Sequence, residues 1–336
     1  MSLIYAVKRV LRMDISRVGR DIARVAKKSG KPRIFVFFDM LWCGVRYGAG
    51  PLDYDLFEFY SLTSAQRKTY VTRGTNNALV RKYNDKSLWH VFDNKNEFNE
   101  VFSDYISRDW LLTDGMTQAD FEKFIAGKRG FIYKPVDGTC GRGIEKIDAD
   151  GKGIRELFEY IRSKPRGIIE ELVTQHSALS AVYPLAINTI RVVTILKDGT
   201  VTPVFAFWRI GNNGKFVDNL NSGGMAALLD LDSGMVTLPA ADKNGDTYEC
   251  HPYTGEKIVG FKIPMWDKIL YTVCSAAKVM PEVGYVGWDV ALSQDSIQLI
   301  EGNCFPGHDI LQLPAYTPDK KMCIRDSCKA VQCRCL

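Results

Sequence analysis

Gly284-Tyr-Val-Gly-Trp-Asp289-Val-Ala-Leu-Ser293-Gln-Asp-Ser296-Ile-Gln-Leu-Ile-Glu301-Gly-Asn303-Cys-Phe-Pro306-Gly307 is the stretch on which the fold turns. Two apolar, strand-like runs flank the polar turn Ser293-Gln294-Asp295-Ser296, a hairpin signature. The first run carries Asp289. The second carries Glu301 and Asn303, which are two apart and share one face of a strand. A three-residue loop at 294–296 predicts Asp289 opposite Glu301 on that face. Two carboxylates and an amide oxygen converging there suit a hard cation such as Mg²⁺ bridging phosphates. Like charges placed across a sheet repel, so a cation or cationic side chain is expected between them. An exposed hairpin whose acids face water shows the same pattern, and the upstream chain has to decide between the two.

With 336 residues, 46% of them hydrophobic and 25% charged, the chain has the composition of an ordinary globular protein with room for two or three packed units. No apolar run reaches the ~20 residues of a membrane-spanning helix. The N-terminus lacks the pattern of a secretory signal, so a cytoplasmic protein is expected. Cys43, Cys140, Cys250, Cys274 and Cys304 are scattered singly and read as reduced thiols. The net charge of +5 is unevenly spread, with ten Lys or Arg against Asp14 and Asp21 in residues 1–33. A basic end on a near-neutral body is not a nucleic-acid binder's distribution, and no nucleic-acid partner is expected.

Residues 2–28 carry Ile4, Leu11, Ile15, Val18, Ile22 and Val25 at helical spacing, with basic residues on the other face. Such a helix can rest on an anionic membrane surface, which would make the protein peripheral at the inner membrane face. The alternative, favoured by the lack of Trp and Phe in the stripe, is that it packs against the body. Residues 34–85 mix an aromatic run (Phe35, Phe37, Phe38) with a Gly-rich turn and helix-like stretches, and read as packing. Residues 86–128 look mostly helical, with Asp93 or Asn94 as the N-cap of a helix running through Phe98, Val101 and Phe102.

A second informative segment follows. Gly130–Pro135 is a short strand ending in Lys134, Val136–Gly143 is glycine-rich, and Ile144–Asp148 alternates like a returning strand. A Walker A loop is instead strand–loop–helix ending in Gly-Lys-Ser/Thr. Glycines at 138, 141 and 143 let backbone N–H groups approach a phosphate, and Lys134 supplies a point charge. A helix is expected at about 152–163. The apolar strand Gly167–Val173, with Glu170, Glu171 and Leu172 near its end, can act as a hinge that reads adenine through its backbone. Arg191 and Arg209 lie on a further hairpin turning at Asp198-Gly199 and, if buried, need anionic partners. A helix is expected over Pro264–Met280.

Taken together over roughly 90–318, these residues resemble the ATP-grasp superfamily. The pieces are Asp93-Asn94-Lys95, Lys134-Pro135 with the glycine loop, Glu170–Val173, Asn188-Thr189-Ile190-Arg191, Asp289, and Glu301-Gly302-Asn303 with Pro306-Gly307. Gln175-His176, Asn188–Thr194 and Val217-Asp218-Asn219 with Gly223-Gly224 are similar to its sugar-transfer-associated branch. The resemblance implies an α+β fold in which two α/β subdomains clamp ATP, behind an N-terminal helical and mixed extension. The expected segments are 1–85 for the extension, 86–166 for the lid subdomain, and 167–321 for the C-terminal subdomain with the metal site.

The resemblance also implies roles. Lys95 and Lys134 would contact the ATP phosphates, and Gly138, Gly141 and Gly143 would form the lid. Glu170, Leu172 and Val173 would meet adenine, with Glu171 or His176 near ribose. Asp289, Glu301 and Asn303 would hold Mg²⁺, while Arg191 and, less directly, Arg209 would face the γ-phosphate. His176 has the alternative reading of a satisfied helix-start histidine. The implied reaction is ATP-dependent ligation of a carboxylate to an amine in cell-surface polysaccharide synthesis, beside glycosyltransferase-system proteins. Two alternatives stay open: an ATP-binding regulatory module, and phosphoryl transfer to a sugar hydroxyl.

Residues 322–336 differ in character. Cys323, Cys328, Cys333 and Cys335 crowd together without the paired C-x₂-C spacing of common zinc sites. Met322-Cys-Ile-Arg-Asp-Ser327 can be encoded by the terminal bases of a transposon adapter used in library preparation, and the tail is expected to be non-native.

Overall fold

In the computed structural model, which describes residues 15–136 and 143–320, the chain divides into two units. The described residues up to Tyr83, with those from Gly307 onward, form one; Asn84–Pro306 form the other. Gly138, Gly141 and the cysteine-rich tail lie outside the described residues, as does the first half of the basic helix.

The first unit is helical. Over its described part, Ile15–Ser29, the basic helix turns its apolar stripe inward: Val25 is buried and Ile22 half-buried. It packs on the helices Arg33–Tyr47 and Pro51–Leu56. In Arg33–Tyr47, Val36, Met40 and Cys43 face the core at helical spacing. Asp39 takes a two-pronged ion pair from Arg67, at 2.7 Å on each oxygen, and the Tyr54 hydroxyl at 2.6 Å. Phe35, Phe37 and Phe38, which the sequence reads as packing residues, are exposed instead. Among the described residues of the unit, only one narrow face of this helix is buried.

The second unit holds two antiparallel sheets. Strands β1 (Trp110–Leu112), β2 (Gly130–Pro135), β3 (Glu145–Asp148) and β4 (Gly167–Glu171) form the smaller, in the order β1-β4-β2-β3. Phe121, Phe124, Leu157, Phe158 and Ile161, from the helices Gln118–Ile125 and Ile154–Arg162, join Phe131, Tyr133 and Ile147 of the sheet in one core. The other face carries Ile132, Lys134, Lys146 and Glu170, because alternate residues of a strand point oppositely. The sequence reading began the C-terminal subdomain at residue 167. The structure instead pairs β4 with β1 and β2, and residues from Gly307 onward group with the N-terminal unit.

The larger sheet is built from β5 (Ile190–Lys197), β6 (Thr200–Ile210), β7 (Met225–Leu229), β8 (Ala240–Asp242), β9 (Thr247–Tyr248), β10 (Tyr285–Leu292) and β11 (Ile297–Asn303). Their order is β11-β10-β5-β6-β7-β8-β9. The β5–β6 turn is made by Asp198 and Gly199, both at positive φ, as a tight hairpin requires. Trp208, Trp288, Val192, Val286 and Leu299 face a core closed by the helix Trp266–Ala276 and by Phe92, Phe98 and Phe102. Asn94 caps the helix Lys95–Val101, its Oδ1 accepting from the Asn96 N–H at 3.0 Å, which settles the Asp93 or Asn94 choice.

The hairpin that opened the sequence reading reaches its expected pairing by an unexpected route. Its turn has four residues, with Ser293 N–H bonded to the Ser296 carbonyl at 2.8 Å and Leu292 opposite Ile297. That phase alone would put Ile300 opposite Asp289. A bulge at Ile300 shifts the register, so that Val290 faces Leu299 and Asp289 faces Glu301.

Candidate active site

Glu301 and Asn303 alternate with Gly302, so the first two share a face with Asp289 while Gly302 points the other way. A Cβ on Gly302 would lie 2.9 Å from both Phe92 and Phe98. The glycine of Glu-Gly-Asn therefore lets Phe98 of the helix Lys95–Val101, and Phe92 before it, press against β11.

Opposite Asp289 on its other side stands Arg191 of β5. Arg191 grips both Asp289 oxygens, with Nη2 at 2.5 Å from Oδ2, and Arg209 of β6 reaches Oδ2 as well. Burial works against ionising Asp289, but Arg191 and Arg209 outweigh it and hold the carboxyl down at about 2. Arg209 also bonds Asn219 and sits 2.9 Å from Asp218. Burial disfavours its charge, yet Asp218 and Asp289 keep the guanidinium firmly protonated. Arg191 lies 3.6 Å from Glu301. Two arginines thus stand among the paired acids in an alternating array of charge, yet burial and the neighbouring Asp289 still push the Glu301 carboxyl upward.

The branch-marking residues are wired to one another. The Asp218 Oδ2 accepts from the Thr189 N–H at 3.0 Å and from its hydroxyl. Buried Asn188 donates to the Tyr183 carbonyl at 2.8 Å and accepts from the Gly211 N–H at 2.9 Å. Gln175 accepts from the Asn188 N–H at 2.6 Å. These groups fix the segment that carries Arg191 and Arg209.

On the smaller sheet the buried carboxylate of Glu170 accepts from Arg108 at 3.0 Å and Asn99 at 3.2 Å, and pairs with Lys134. Burial opposes its ionisation, but Arg108 and Lys134 more than offset this and hold it well below the usual carboxylate range. The Glu170 side chain is therefore committed to a buried network. Arg108 continues that network to the larger sheet, donating to the Leu299 carbonyl at 2.6 Å and to Gln298 at 3.1 Å beside the bulge. Lys95 lies 3.4 Å from the Val136 carbonyl.

A cavity of about 600 Å³ lies between these surfaces. Lys95, Lys134, Glu170, Glu171, Leu172 and Val173 line it from one side. Arg209, Asp289, Glu301 and Asn303 line it from the other. Arg191 stands behind this lining, reaching it through Asp289 and Glu301. Besides Arg191, two described site residues are absent from the lining. His176 caps the helix Ser177–Val182, its Nδ1 accepting from the Ala178 N–H at 3.1 Å, and is absent from the lining. That is its helix-start alternative. Gly143 is also absent from the lining; it adopts φ +73°, and a Cβ there would lie 2.8 Å from Pro135 Cγ. Both facts require glycine at the foot of the loop.

Sequence reasoning missed Arg108, Asn99 and Lys146, and it used Asp218 only as a branch mark. Lys146 was legible, since it alternates onto the same face as Lys134 through its register partner Ile132. Arg108 left no local signal. For a divalent cation the donor set is chemically suitable: Glu301 is 48% exposed and opens to the cavity, with Asn303 beside it. Asp289 joins them only by sharing an oxygen already on a guanidinium. Among the described residues no further Asp, Glu, His or Cys completes a metal-binding group.

A small sheet and a large antiparallel sheet enclosing a cavity lined by lysines and paired acids define the ATP-grasp fold. The sequence model described as sugar-transfer associated ATP-grasp matches residues 74–319, and the chain belongs to that family. No curated protein matches the sequence. Among solved structures it is similar to an L-amino acid ligase from Bacillus licheniformis, at 16% identity and TM-score 0.40, over 64% of this chain and 40% of that one. It is also similar to D-alanine–D-alanine ligase from Bacillus anthracis complexed with ATP, at 12% identity and TM-score 0.39, over 65% and 56%. A third is D-alanyl-alanine synthetase A from Vibrio cholerae O1 biovar eltor, at 12% identity and TM-score 0.43, over 72% and 64%. The chain thus spans 40–64% of the length of these proteins. No described helix is long and apolar enough to cross a membrane.

Proposed function

We propose that the chain is an ATP- and Mg²⁺-dependent ligase that joins a carboxylate to an amine in making cell-surface polysaccharide. The observation that supports this best is that one cavity is flanked by Lys134 and Lys95 on one side and by Asp289, Glu301, Asn303 and Arg209 on the other. Its volume suits a nucleotide-sized ligand.

In this reading Lys134 and Lys95 meet the phosphates of ATP. Glu170 takes one of the three N–H donors of Lys134 and aims the others. Leu172 and Val173 present backbone atoms to adenine, with Glu171 toward ribose, and Gly138, Gly141 and Gly143 form the lid. Glu301 and Asn303, with one Asp289 oxygen, hold Mg²⁺, which when bound neutralises phosphate charge. Arg191 and Arg209 fix Asp289 and bring positive charge beside the transferring group.

A substrate carboxylate oxygen attacks the γ-phosphorus as the bond to the bridging oxygen of ADP breaks. The amine nitrogen then attacks the acyl carbon, phosphate leaves with the bonding pair, and the amine gives up a proton. No protein nucleophile takes part, so catalysis is positioning and electrostatics. The partners are a small carboxylate, sugar-linked in the context the family name suggests, an amine acceptor, and proteins of a glycosyltransferase system. The setting is the cytoplasm.

ADP release by the full chain with Mg²⁺ and ATP, across carboxylate-bearing sugars with and without amines, tests the proposal. ADP that requires both a carboxylate and an amine supports it. ADP formed with a sugar lacking a carboxylate replaces it with a kinase. Tight ATP binding without turnover on any pair replaces it with a regulatory module.

A further inference from the structure

The helix Arg33–Tyr47 is apolar almost all round, yet only Val36, Met40 and Cys43 are buried. Ile34, Phe35, Phe37, Phe38, Leu41, Trp42 and Val45 stand exposed, Ile34 by 64%, Phe38 by 59% and Trp42 by 56%. Seven large apolar side chains on one short helix form a contiguous patch of the kind that marks an interaction surface. Its one acid, Asp39, is held by Arg67 and Tyr54, so the outward side carries no carboxylate. Basic residues rim the patch. Lys27, Arg33 and Arg46 are exposed, and Lys31 lies over the Phe35 ring at 4.8 Å.

We propose that this helix lies in the interface of an anionic membrane, with Phe35, Phe38, Leu41 and Trp42 among the acyl chains and the basic rim at the headgroups. Its 15 residues are too few to span a bilayer but suit an interfacial helix. Trp, Phe and Leu are the side chains that interfacial helices bury on their apolar face, and each nearby Lys or Arg adds attraction to anionic lipid. The basic helix Ile15–Ser29 lacks aromatics in its own stripe and turns that stripe inward. The lipid-facing surface is therefore the next helix, with Lys27 on the first contributing charge. Charge separates lipid from a second copy as occupant. A two-fold pairing through the patch would bring Lys27, Arg33 and Arg46 of both copies to a common rim, where like charges repel. The inference is independent of the ligase reading.

Co-sedimentation of the full chain with vesicles of phosphatidylcholine, alone or mixed with phosphatidylglycerol, tests it. Wild type is expected to pellet at least about tenfold more strongly with the anionic vesicles. Phe38→Glu with Trp42→Glu should weaken that binding by tenfold or more, and Lys27→Glu with Arg33→Glu should abolish the preference for anionic lipid. These side chains are exposed, so unchanged thermal melting is expected of the variants. Quenching of fluorescence by brominated acyl chains should fall in Trp42→Phe. Equal pelleting of wild type and the Phe38/Trp42 variant overturns the proposal. So does a lipid-independent dimer, seen by sedimentation velocity, that the Phe38/Trp42 variant makes monomeric.

Discussion

Asp289→Asn should lower the rate of ADP formation by about 10²–10³-fold on any carboxylate–amine pair that wild type turns over. Asparagine keeps the shape and removes the charge. In wild type one carboxylate is shared by Arg191 and Arg209, and both guanidiniums come to it from neighbouring strands of the same sheet. Without the charge the two arginines repel one another across the strand. Arg209 keeps Asp218 and Asn219, whereas Arg191 keeps Glu301 at 3.6 Å. Arg191 is therefore expected to swing toward Glu301 and draw it out of the position proposed for Mg²⁺. Turnover measured beside near-ultraviolet circular dichroism separates lost chemistry from lost fold. A folded variant with near-normal turnover removes Asp289 from the mechanism.

The second large effect concerns stability. Arg108→Met should destabilise the protein by about 3–5 kcal/mol, because it strips a buried carboxylate of a principal partner and leaves carbonyls at the bulge with one donor fewer. Arg108 and Glu170 have side chains only 2% and 4% exposed, so water cannot easily take the place of the lost contact. Pairing Arg108→Met with Glu170→Leu should recover part of the loss, since the stranded carboxylate is gone, while Lys134 and Asn99 each give up a contact. Denaturant unfolding of the two single variants and the double variant measures the coupling. A single-variant cost below about 1 kcal/mol would show that Lys134 and Asn99 satisfy Glu170 unaided.

Much of this site was legible because strands alternate and hairpins fold back on themselves. Asp289, Glu301 and Asn303 share a face through that period, and so do Lys134 and Glu170 through their own strands. The pairing of acids also demanded a positive partner, and Arg191 and Arg209 were the conspicuous unexplained cations. Arg108 could not be read in this way. Its contacts lie about sixty residues away at Glu170 and about 190 residues away at Leu299, and nothing local distinguishes it from a surface arginine. His176 carried two readings for the opposite reason. Its backbone position beside the hinge suggested ribose, but the adjacent helix start claimed its ring first. The aromatic run at Phe35–Phe38 misled because apolar character signals burial without saying in what. A side chain that leaves water for lipid and one that leaves it for a core look alike in sequence.

Ile300 gives the hairpin a property that no side chain in it possesses. The strand β11 carries its functional oxygens in odd positions and its tight-packing glycine in the even one between them, and the bulge decides which parity faces the cavity. Drawing that one residue into the ladder would leave every named acid in the chain while exchanging the two sets: Ile300 would face Asp289, Glu301 would press on Phe92 and Phe98, and Gly302 would look into an emptied site. The place where the ladder leaves one residue unpaired is therefore as much a part of this site's specification as the letters of the motif itself.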